Sequence, residues 1–303
     1  MADRYDVAIA GGGIAALTAA VHSARMGRST LVLGGRAPGG LLLSIDRIDG
    51  FPGFPQGVAG YELCPSLQEQ AAEAGAEVVA FDVEGLAQAN GTWRIATAEG
   101  EVEARALIAA TGARFRRLGV PGEDRLQGHG ISTCASCDGP LLGGARAAVV
   151  GGGDSALQET LTLAETAERV IVLHRGERLD AQASYGRRVE EHATIEVRFG
   201  VTVEEIVGSE RVEAVRVREP ASDAVEELAV TAVFPFVGLE PNSDPFSAHA
   251  ELDARRALRT DGLVTSAPGL FAAGVVRSGA AGRAAAASGE GAAAAIAADA
   301  YLG

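Results

Sequence analysis

The sequence predicts an α/β fold of two modules, because one order of strand, glycine-rich turn, helix and strand occurs twice in it. In the first copy a β-rich run at residues 5–10 leads into the glycine turn at 11–13, and an alanine-rich helical stretch follows to Met26. A second β-rich run at 30–33 completes a βαβ unit of ~30 residues. This context distinguishes a dinucleotide-binding turn from a chance cluster of glycines.

The second module repeats this order further along the chain. A run at 147–150 precedes the glycine turn at 151–153, a helix is predicted to Ala167, and the next strand lies at 170–173. In such turns the first glycine permits the bend, the second lets the backbone approach a pyrophosphate, and the third position packs the helix closely. The pyrophosphate then lies at the helix N-terminus. The positions predicted to serve this purpose are Gly11, Gly13 and Ala16 in the first module and Gly151, Gly153 and Ala156 in the second.

Length, charge and the two ends of the chain bound its class. The 303 residues exceed the ~100 to 200 of a usual domain, so two domains are expected. A net charge of −14 argues against nucleic acid or an anionic membrane as a partner. The first residues lead into a strand without an apolar segment, which favours a cytoplasmic protein. Arg283, Glu290 and several glycines interrupt the alanine-rich tail at 279–300, so a packed helix is expected there and not a membrane span.

Two cysteines one helical turn apart, Cys134 and Cys137, give the strongest chemical signal. Such a pair closes a small disulfide ring that exchanges readily with other disulfides, and a helix N-terminus stabilises its thiolate. Asp138 follows directly and is placed to move a proton. The alternative is half of a zinc site, but the remaining ligands are missing, because the third cysteine, Cys64, and the five histidines are scattered. Cys64 itself is expected to be a buried small hydrophobe at a helix start, without a chemical role.

Further strand ends follow each module. A third glycine cue closes a predicted strand at 107–113, and we place a domain boundary near 114–120. Later β-rich runs and strand exits are predicted at 194–199, 212–217, 234–242 and 269–274.

These motifs stand in the order and at the spacing of the low-molecular-weight bacterial thioredoxin reductases, and the chain resembles that family essentially from end to end. The first glycine turn resembles the family's FAD fingerprint. Other matching segments are Gly39-Gly40, Phe51-Pro52-Gly53-Phe54-Pro55, Ala110-Thr111-Gly112 and Val120-Pro121-Gly122-Glu123. By this resemblance the cofactor-binding residues also include Gly39, Gly40, Thr111, Gly112, Gly274, Arg283 and Ala284 for FAD and Arg175 for the pyridine nucleotide.

The resemblance implies two Rossmann-like domains. A discontinuous FAD domain is expected at 1–115 and 246–303, and an inserted pyridine-nucleotide domain carrying the redox cysteines is expected at 116–245. It also implies a homodimer.

In that family electrons pass from NADPH to FAD, then to the disulfide and on to a partner thioredoxin, while rotation of one domain alternates the two transfers. Carried over to this chain, Cys137 faces the flavin, Cys134 attacks the partner and Asp138 acts as acid and base. A low thiolate pKa and a nearby proton donor are what disulfide exchange needs.

The chain departs from the family where the 2′-phosphate of NADPH is recognised. The family places two arginines after a histidine and a third arginine four residues further on. This chain reads His174-Arg175-Gly176-Glu177-Arg178-Leu179-Asp180. Gly176 removes one phosphate donor and Asp180 puts a negative charge opposite a dianion. At ~1.5 to 3 kcal/mol per lost charged contact, NADPH is expected to bind one to several orders of magnitude more weakly, with NADH as the alternative nicotinamide.

The flavin contacts are altered as well. Leu41 stands where the family has glutamine, Gly50 where it has asparagine, and Val275 where an aspartate bonds the ribityl chain. Gly282-Arg283-Ala284 replaces an Arg-Gln-Ala beside the isoalloxazine ring. The backbone elements remain, so FAD binding is expected with altered redox tuning. Arg283 either stabilises reduced flavin or points to solvent.

Three functions therefore stay open. The first, which we favour, is an FAD-dependent thiol–disulfide oxidoreductase acting on a thioredoxin-like protein or a small disulfide. The second keeps the flavin and dithiol but dispenses with nicotinamide, either as a ferredoxin-linked reductase or as an oxygen-using dithiol oxidase. The third is a non-catalytic flavin or nucleotide sensor, against which the retention of Cys134, Cys137 and Asp138 argues.

Overall fold

The computed structural model describes residues 4–35 and 39–303. The chain forms two compact units: unit 1 is 1–114 with 240–303, and unit 2 is 115–239. The sequence predicted the domain boundaries after residues 115 and 245. They lie one residue and six residues beyond the boundaries between the two units. Residues 1–3, at the start of the predicted FAD domain, lie outside the described residues.

Strands and helices alternate through much of both units. The strands are β1 (Arg4–Ala10), β2 (Thr30–Leu33), β3 (Glu77–Val79), β4 (Gly85–Ala89), β5 (Thr92–Thr97), β6 (Gly100–Ala109), β7 (Ala113–Phe115), β8 (Arg146–Val150), β9 (Arg169–Leu173), β10 (Ile195–Arg198), β11 (Thr202–Val207), β12 (Ala214–Glu219), β13 (Ala224–Ala229), β14 (Ala232–Pro235), β15 (Leu239–Pro241) and β16 (Leu270–Ala272). The helices are α1 (Ile14–Arg25), α2 (Gly60–Glu73), α3 (Glu123–Leu126), α4 (Ala135–Asp138), α5 (Asp154–Leu163), α6 (Ala183–Glu190) and α7 (Ala284–Leu302). Short 3-10 helices span Gly40–Ser44, Gly139–Leu142 and Asp244–Phe246.

Unit 1 is built on a sheet in the order β3-β2-β1-β6, with β16 beside β6. These pairs are parallel, while β4 and β5 extend the sheet from β6 as antiparallel strands. Strands β2 and β16 are buried along their length, and β1 and β6 are buried over their last four residues, since helices cover such a sheet. The carboxyl ends of β1, β6 and β16 therefore lie side by side at one edge.

The alanine-rich tail forms α7, which packs closely against α1. A Cβ at Gly291 would lie 2.1 Å from the carbonyl oxygen of Ala15, so only glycine allows this approach. The hydroxyls of Thr18 and Ser288 are 3.1 Å apart across the contact. The tail is a packed helix, as predicted. No helix within 4–35 and 39–303 is both long and apolar enough to cross a membrane.

Unit 2 contains a parallel sheet in the order β10-β9-β8-β14 and a separate antiparallel sheet of β11, β12 and β13. Leu157, Val172 and Val189 are buried together between α5, β9 and α6. The chain passes between the units through β7 and β15, which pair with each other.

The predicted α/β class is confirmed, and two helix ends differ from the sequence prediction. Helix α5 ends at Leu163, because the segment up to Ala167 closes into turns: the Glu165 and Thr166 N–H groups donate to carbonyls three residues back, at 3.3 and 3.1 Å. Helix α7 begins at Ala284, later than the predicted 279, because Gly279 and Gly282 adopt φ of 74° and 67°. Such left-handed backbone cannot continue a right-handed helix.

Candidate active site

The two cysteines of the Cys-x-x-Cys segment are joined in a disulfide, with Cα atoms 5.3 Å apart. Cys134 precedes α4 as its N-cap, and its Sγ accepts the backbone N–H of Cys137 at 3.3 Å. The Ser132 hydroxyl accepts the Cys134 N–H at 3.1 Å. Cys137 is exposed and Cys134 half-buried. A sulfur that accepts a backbone N–H is stabilised as a thiolate, which is the nucleophilic form in disulfide exchange.

Asp138 is the last residue of α4 and is half-buried. Its backbone N–H donates to the carbonyl of Cys134 at 3.2 Å, which closes the turn containing both cysteines. The backbone of Asp138 is thus fixed next to the disulfide. The three residues lie together on one short segment, and a disulfide closed across so few residues can exchange with other disulfides.

Glu159 supports this group from α5 and escaped the sequence analysis. Its carboxylate accepts the backbone N–H of Ala135 at 2.8 Å, although the residue is only 6% exposed. A signal was available: Glu159 lies on the face of α5 that buries Ala156, Leu157 and Leu163. A carboxylate among apolar residues needs a partner, and here the first N–H of α4 is one.

In unit 1 the predicted fingerprint lies at the common edge of β1, β6 and β16. A Cβ at Gly11 would lie 2.2 Å from the Ala110 carbonyl oxygen, so the turn after β1 touches the exit of β6. The Ala273 N–H donates to the Ala109 carbonyl at 2.9 Å, which brings the exit of β16 beside them. The structure therefore assembles three of the predicted cofactor segments at one edge, where α/β sheets bind ligands.

The remaining predicted FAD residues are distributed around this edge. The Gly39 N–H donates to the Gly12 carbonyl at 2.7 Å, so the double glycine lies on the turn. Ala16 is fully buried and packs α1. The Thr111 hydroxyl donates to the Asn242 carbonyl at 2.7 Å. Ala284 is the first residue of α7, preceded by Arg283, which is exposed.

The N-terminus of α1 fits a pyrophosphate. Gly13 is its N-cap, and no side chain of the described residues caps the helix there. A Cβ at Gly13 would meet no atom within 4 Å, so there is open space beside the start of the helix. Helix N-termini of this kind bind phosphate groups. The residues present therefore fit FAD.

Glu290 is the second residue that the sequence analysis missed. It lies on α7, and its carboxylate accepts the Gly274 N–H at 2.7 Å and two guanidinium contacts from Arg277, at 2.9 and 2.6 Å. Val275, in place of the family's aspartate, lies within the loop that these bonds fix. A carboxylate from α7 thus fixes the loop that follows β16.

Cys64 is buried in α2, as predicted, and its thiol donates to the Gly39 carbonyl at 3.5 Å. Burial raises the pKa of this thiol to about 11. It is therefore a protonated, unreactive neighbour of the flavin loop.

In unit 2 the second glycine turn joins β8 to α5. A Cβ at Gly151 would lie 2.4 Å from the Phe236 carbonyl oxygen, and Gly153 is the N-cap of α5, again without a side-chain cap among the described residues. Ala156 is buried, as its packing role requires. Arg175 is exposed on the loop after β9.

Two glycine-turn modules and an exchangeable disulfide define the class, a nucleotide-dependent disulfide oxidoreductase. Residues 5–291 match the pyridine nucleotide-disulphide oxidoreductase family, and the chain belongs to that family. It is 36% identical to a thioredoxin reductase of Treponema pallidum over 303 residues, covering 100% of this chain and 98% of that protein.

Solved structures agree with this assignment. Lactococcus lactis thioredoxin reductase superposes with a TM-score of 0.95 at 33% identity, covering 98% of this chain and 99% of that one. T. acidophilum thioredoxin reductase gives 0.92 at 30% identity, covering 97% of each chain. The predicted resemblance to thioredoxin reductases is confirmed, and with it an FAD-dependent thiol–disulfide oxidoreductase built on Rossmann-type domains.

Proposed function

We propose that the protein is a reductase that passes two electrons from a nicotinamide nucleotide through FAD to the Cys134–Cys137 disulfide, and from the resulting dithiol to a disulfide of a thioredoxin-like protein. The carrying observation is the disulfide itself, closed across one helical turn with Cys137 exposed and a backbone N–H on the Cys134 sulfur. The names of the T. pallidum and L. lactis proteins support thioredoxin as the partner.

Each predicted site residue has a role in this proposal. FAD, when bound, supplies the electron pair that opens the disulfide. The residues proposed to hold it are Gly11, Gly13, Gly39, Gly40, Thr111, Gly112, Gly274, Arg283 and Ala284, with Ala16 packing α1. The residues proposed to hold the nicotinamide nucleotide are Gly151, Gly153 and Arg175, with Ala156 packing α5.

The exchange step uses three residues of this chain. The Cys134 thiolate attacks one sulfur of the partner disulfide, so an S–S bond forms to Cys134 and the partner's other sulfur leaves as a thiolate, which takes up a proton. Cys137, deprotonated with Asp138 as base, then attacks the Cys134 sulfur. The intramolecular disulfide forms again, and the partner leaves with two thiols. The partner gains two electrons and the cysteine pair loses two.

A direct test separates this exchange from the choice of donor. The purified protein is titrated anaerobically with dithionite until the flavin absorbance is fully lost, which takes two equivalents where the disulfide is reduced as well, and an oxidised thioredoxin is added. We expect the flavin absorbance to return with two thiols formed per thioredoxin reduced, and no return in Cys134→Ser or Cys137→Ser. A flavin that stays reduced in the parent protein rejects the proposed function.

One observation favours a second candidate. Asp180, where a phosphate-binding cation is expected, also suits an enzyme that takes electrons from reduced ferredoxin or from a small dithiol with oxygen as acceptor. That candidate predicts flavin bleaching by those donors and none by NADH or NADPH. A homodimer, which the family resemblance implies, and the cytoplasmic location that the sequence analysis favours complete the proposal.

A further inference from the structure

The loop after β9 places an acidic side chain directly at the second glycine turn. The Asp180 N–H donates to the Gly152 carbonyl at 2.8 Å, so the backbone of Asp180 is tied to the turn. Two residues later, the Gln182 N–H donates to the Asp154 carboxylate at 2.7 Å, at the first residue of α5. These bonds hold the loop at the end of the module where a nucleotide binds. The Asp180 side chain itself is 73% exposed.

His174 fills the space beneath this loop. It directly follows β9 and is 8% exposed, and its Nε2 has no hydrogen-bond partner within the described part of the chain. The nearest carboxylate is that of Asp180, with Oδ2 at 3.8 Å from Nε2. This separation is longer than a hydrogen bond, so Asp180 is a neighbour of the imidazole and not its hydrogen-bond partner.

Gly176 is required by this position of His174. A Cβ at Gly176 would lie 2.7 Å from His174 Nε2, and a Cβ at Gly152 would lie 2.5 Å from Nδ1. The imidazole is thus enclosed between two glycines. A side chain at 176 therefore requires a shift of the His174 imidazole from this position.

The chemistry of this corner suits a ribose diol better than a phosphate. In dinucleotide-binding modules an acidic residue ~20 residues beyond the glycine turn accepts the ribose hydroxyls of NAD, and an arginine nearby accommodates the 2′-phosphate of NADP. Asp180 stands further along the chain, 27 residues beyond Gly153, and its hydrogen bond to Gly152 brings its backbone to the turn. Arg175 and Arg178 lie on the same loop, but Glu177 and Asp180 balance their charge. Of these four residues, Asp180 is the one whose backbone N–H is bonded to the turn.

We propose that Asp180 selects a nicotinamide dinucleotide without a 2′-phosphate, so that NADH and not NADPH is the donor. Its carboxylate accepts a ribose hydroxyl and repels a phosphate at the same position. This inference rests on the proposed function, since it names the donor of that reductase.

The test measures binding, without turnover. NAD⁺ and NADP⁺, which differ only in the 2′-phosphate, are titrated calorimetrically into the oxidised, FAD-loaded protein at low salt. We expect Kd for NAD⁺ to be at least ~10-fold lower than for NADP⁺, and Asp180→Arg to reverse the preference. Asp180→Asn keeps the size of the side chain but removes its charge. We expect it to lower Kd for NADP⁺ and so to bring the two dissociation constants closer together.

Glu177→Arg is the matched control, because it makes the same charge change on the same loop. We expect it to shift both affinities together and to leave their ratio within ~3-fold of the parent protein. An equal or stronger affinity of the parent protein for NADP⁺ overturns the inference, as does a Glu177→Arg effect equal to that of Asp180→Arg. Absence of binding by either nucleotide at millimolar concentration also overturns it. The dithionite experiment then still decides the disulfide exchange of the proposed function, because it uses no nicotinamide.

Discussion

The backbone N–H of Ala135 donates to the buried carboxylate of Glu159 at 2.8 Å, which joins the first residue of α4 to the middle of α5. The bond fixes the start of α4, the short helix that begins directly after Cys134 and contains Cys137. Four residues of helix are too few to be stable alone, so α4 depends on such tertiary contacts.

Replacing Glu159 should therefore loosen the redox segment. Glu159→Ala leaves a buried N–H without its acceptor, and we expect a loss of about 1 to 3 kcal/mol in the free energy of unfolding, measured by urea titration. Glu159→Gln retains an oxygen acceptor and should lose less. Glu165→Ala, at an exposed position just past α5, is the control and should stay within ~0.5 kcal/mol. If Glu159→Ala and Glu165→Ala lower the free energy of unfolding equally, Glu159 does not have the stabilising role in α4 that the structure indicates.

The roles of the two cysteines can be separated by trapping. The Cys137 N–H lies on the Cys134 sulfur, which favours Cys134 as the attacking thiolate. We expect Cys137→Ser to accumulate a mixed disulfide, seen by intact mass, with a thioredoxin whose resolving cysteine is replaced and whose other cysteine carries thionitrobenzoate in a disulfide. Cys134 attacks the thioredoxin sulfur of that disulfide, and thionitrobenzoate leaves as the thiolate. Cys134→Ser should form at least ~10-fold less. The reverse yield assigns the attack to Cys137, the more exposed residue of the two.

Local sequence patterns predicted the elements that depend on neighbouring residues. Strand β2 lies at Thr30–Leu33 as predicted, because a β-rich run after a glycine-turn helix needs no distant information. The contact between Ala135 and Glu159 spans 24 residues and that between Gly274 and Glu290 spans 16. Each depends on how two helices or loops pack, which periodicity does not encode. The sequence patterns thus predicted the segments that form the site and missed the carboxylates of Glu159 and Glu290, which hold two of those segments in place.

The ion pair of Arg277 and Glu290 should control retention of the flavin. Their side chains are 17% and 15% exposed, and Glu290 also holds the Gly274 N–H. Glu290→Ala leaves a largely buried guanidinium unpaired, so we expect a loss of about 3 to 5 kcal/mol in the free energy of unfolding. We also expect a higher Kd for FAD, read from the fluorescence of released flavin.

The control for this pair is Asp244→Asn. The Asp244–Arg256 ion pair lies in the same unit, but its side chains are 63% and 61% exposed. Breaking such a pair should cost no more than ~1 kcal/mol. Flavin retained equally well by Glu290→Ala and Asp244→Asn shows that the loop at Gly274 does not hold the cofactor.

Cys64 should remain unmodified while the redox pair reacts. Burial raises the pKa of its thiol to about 11, so at pH 8 only ~0.1% of Cys64 is thiolate. Iodoacetamide should therefore label Cys134 and Cys137 in the reduced native protein, and Cys64 only after denaturation. Because the folded-state pKa lies above the unfolded value of ~8.5, the neutral thiol stabilises the fold fully below that pH, and this contribution is lost as pH rises towards 11. The urea midpoint should therefore fall more steeply between pH 9 and 11 in the parent protein than in Cys64→Ala. Labelling of Cys64 in the native protein at pH 8, or parallel pH profiles of the two proteins, contradicts this prediction.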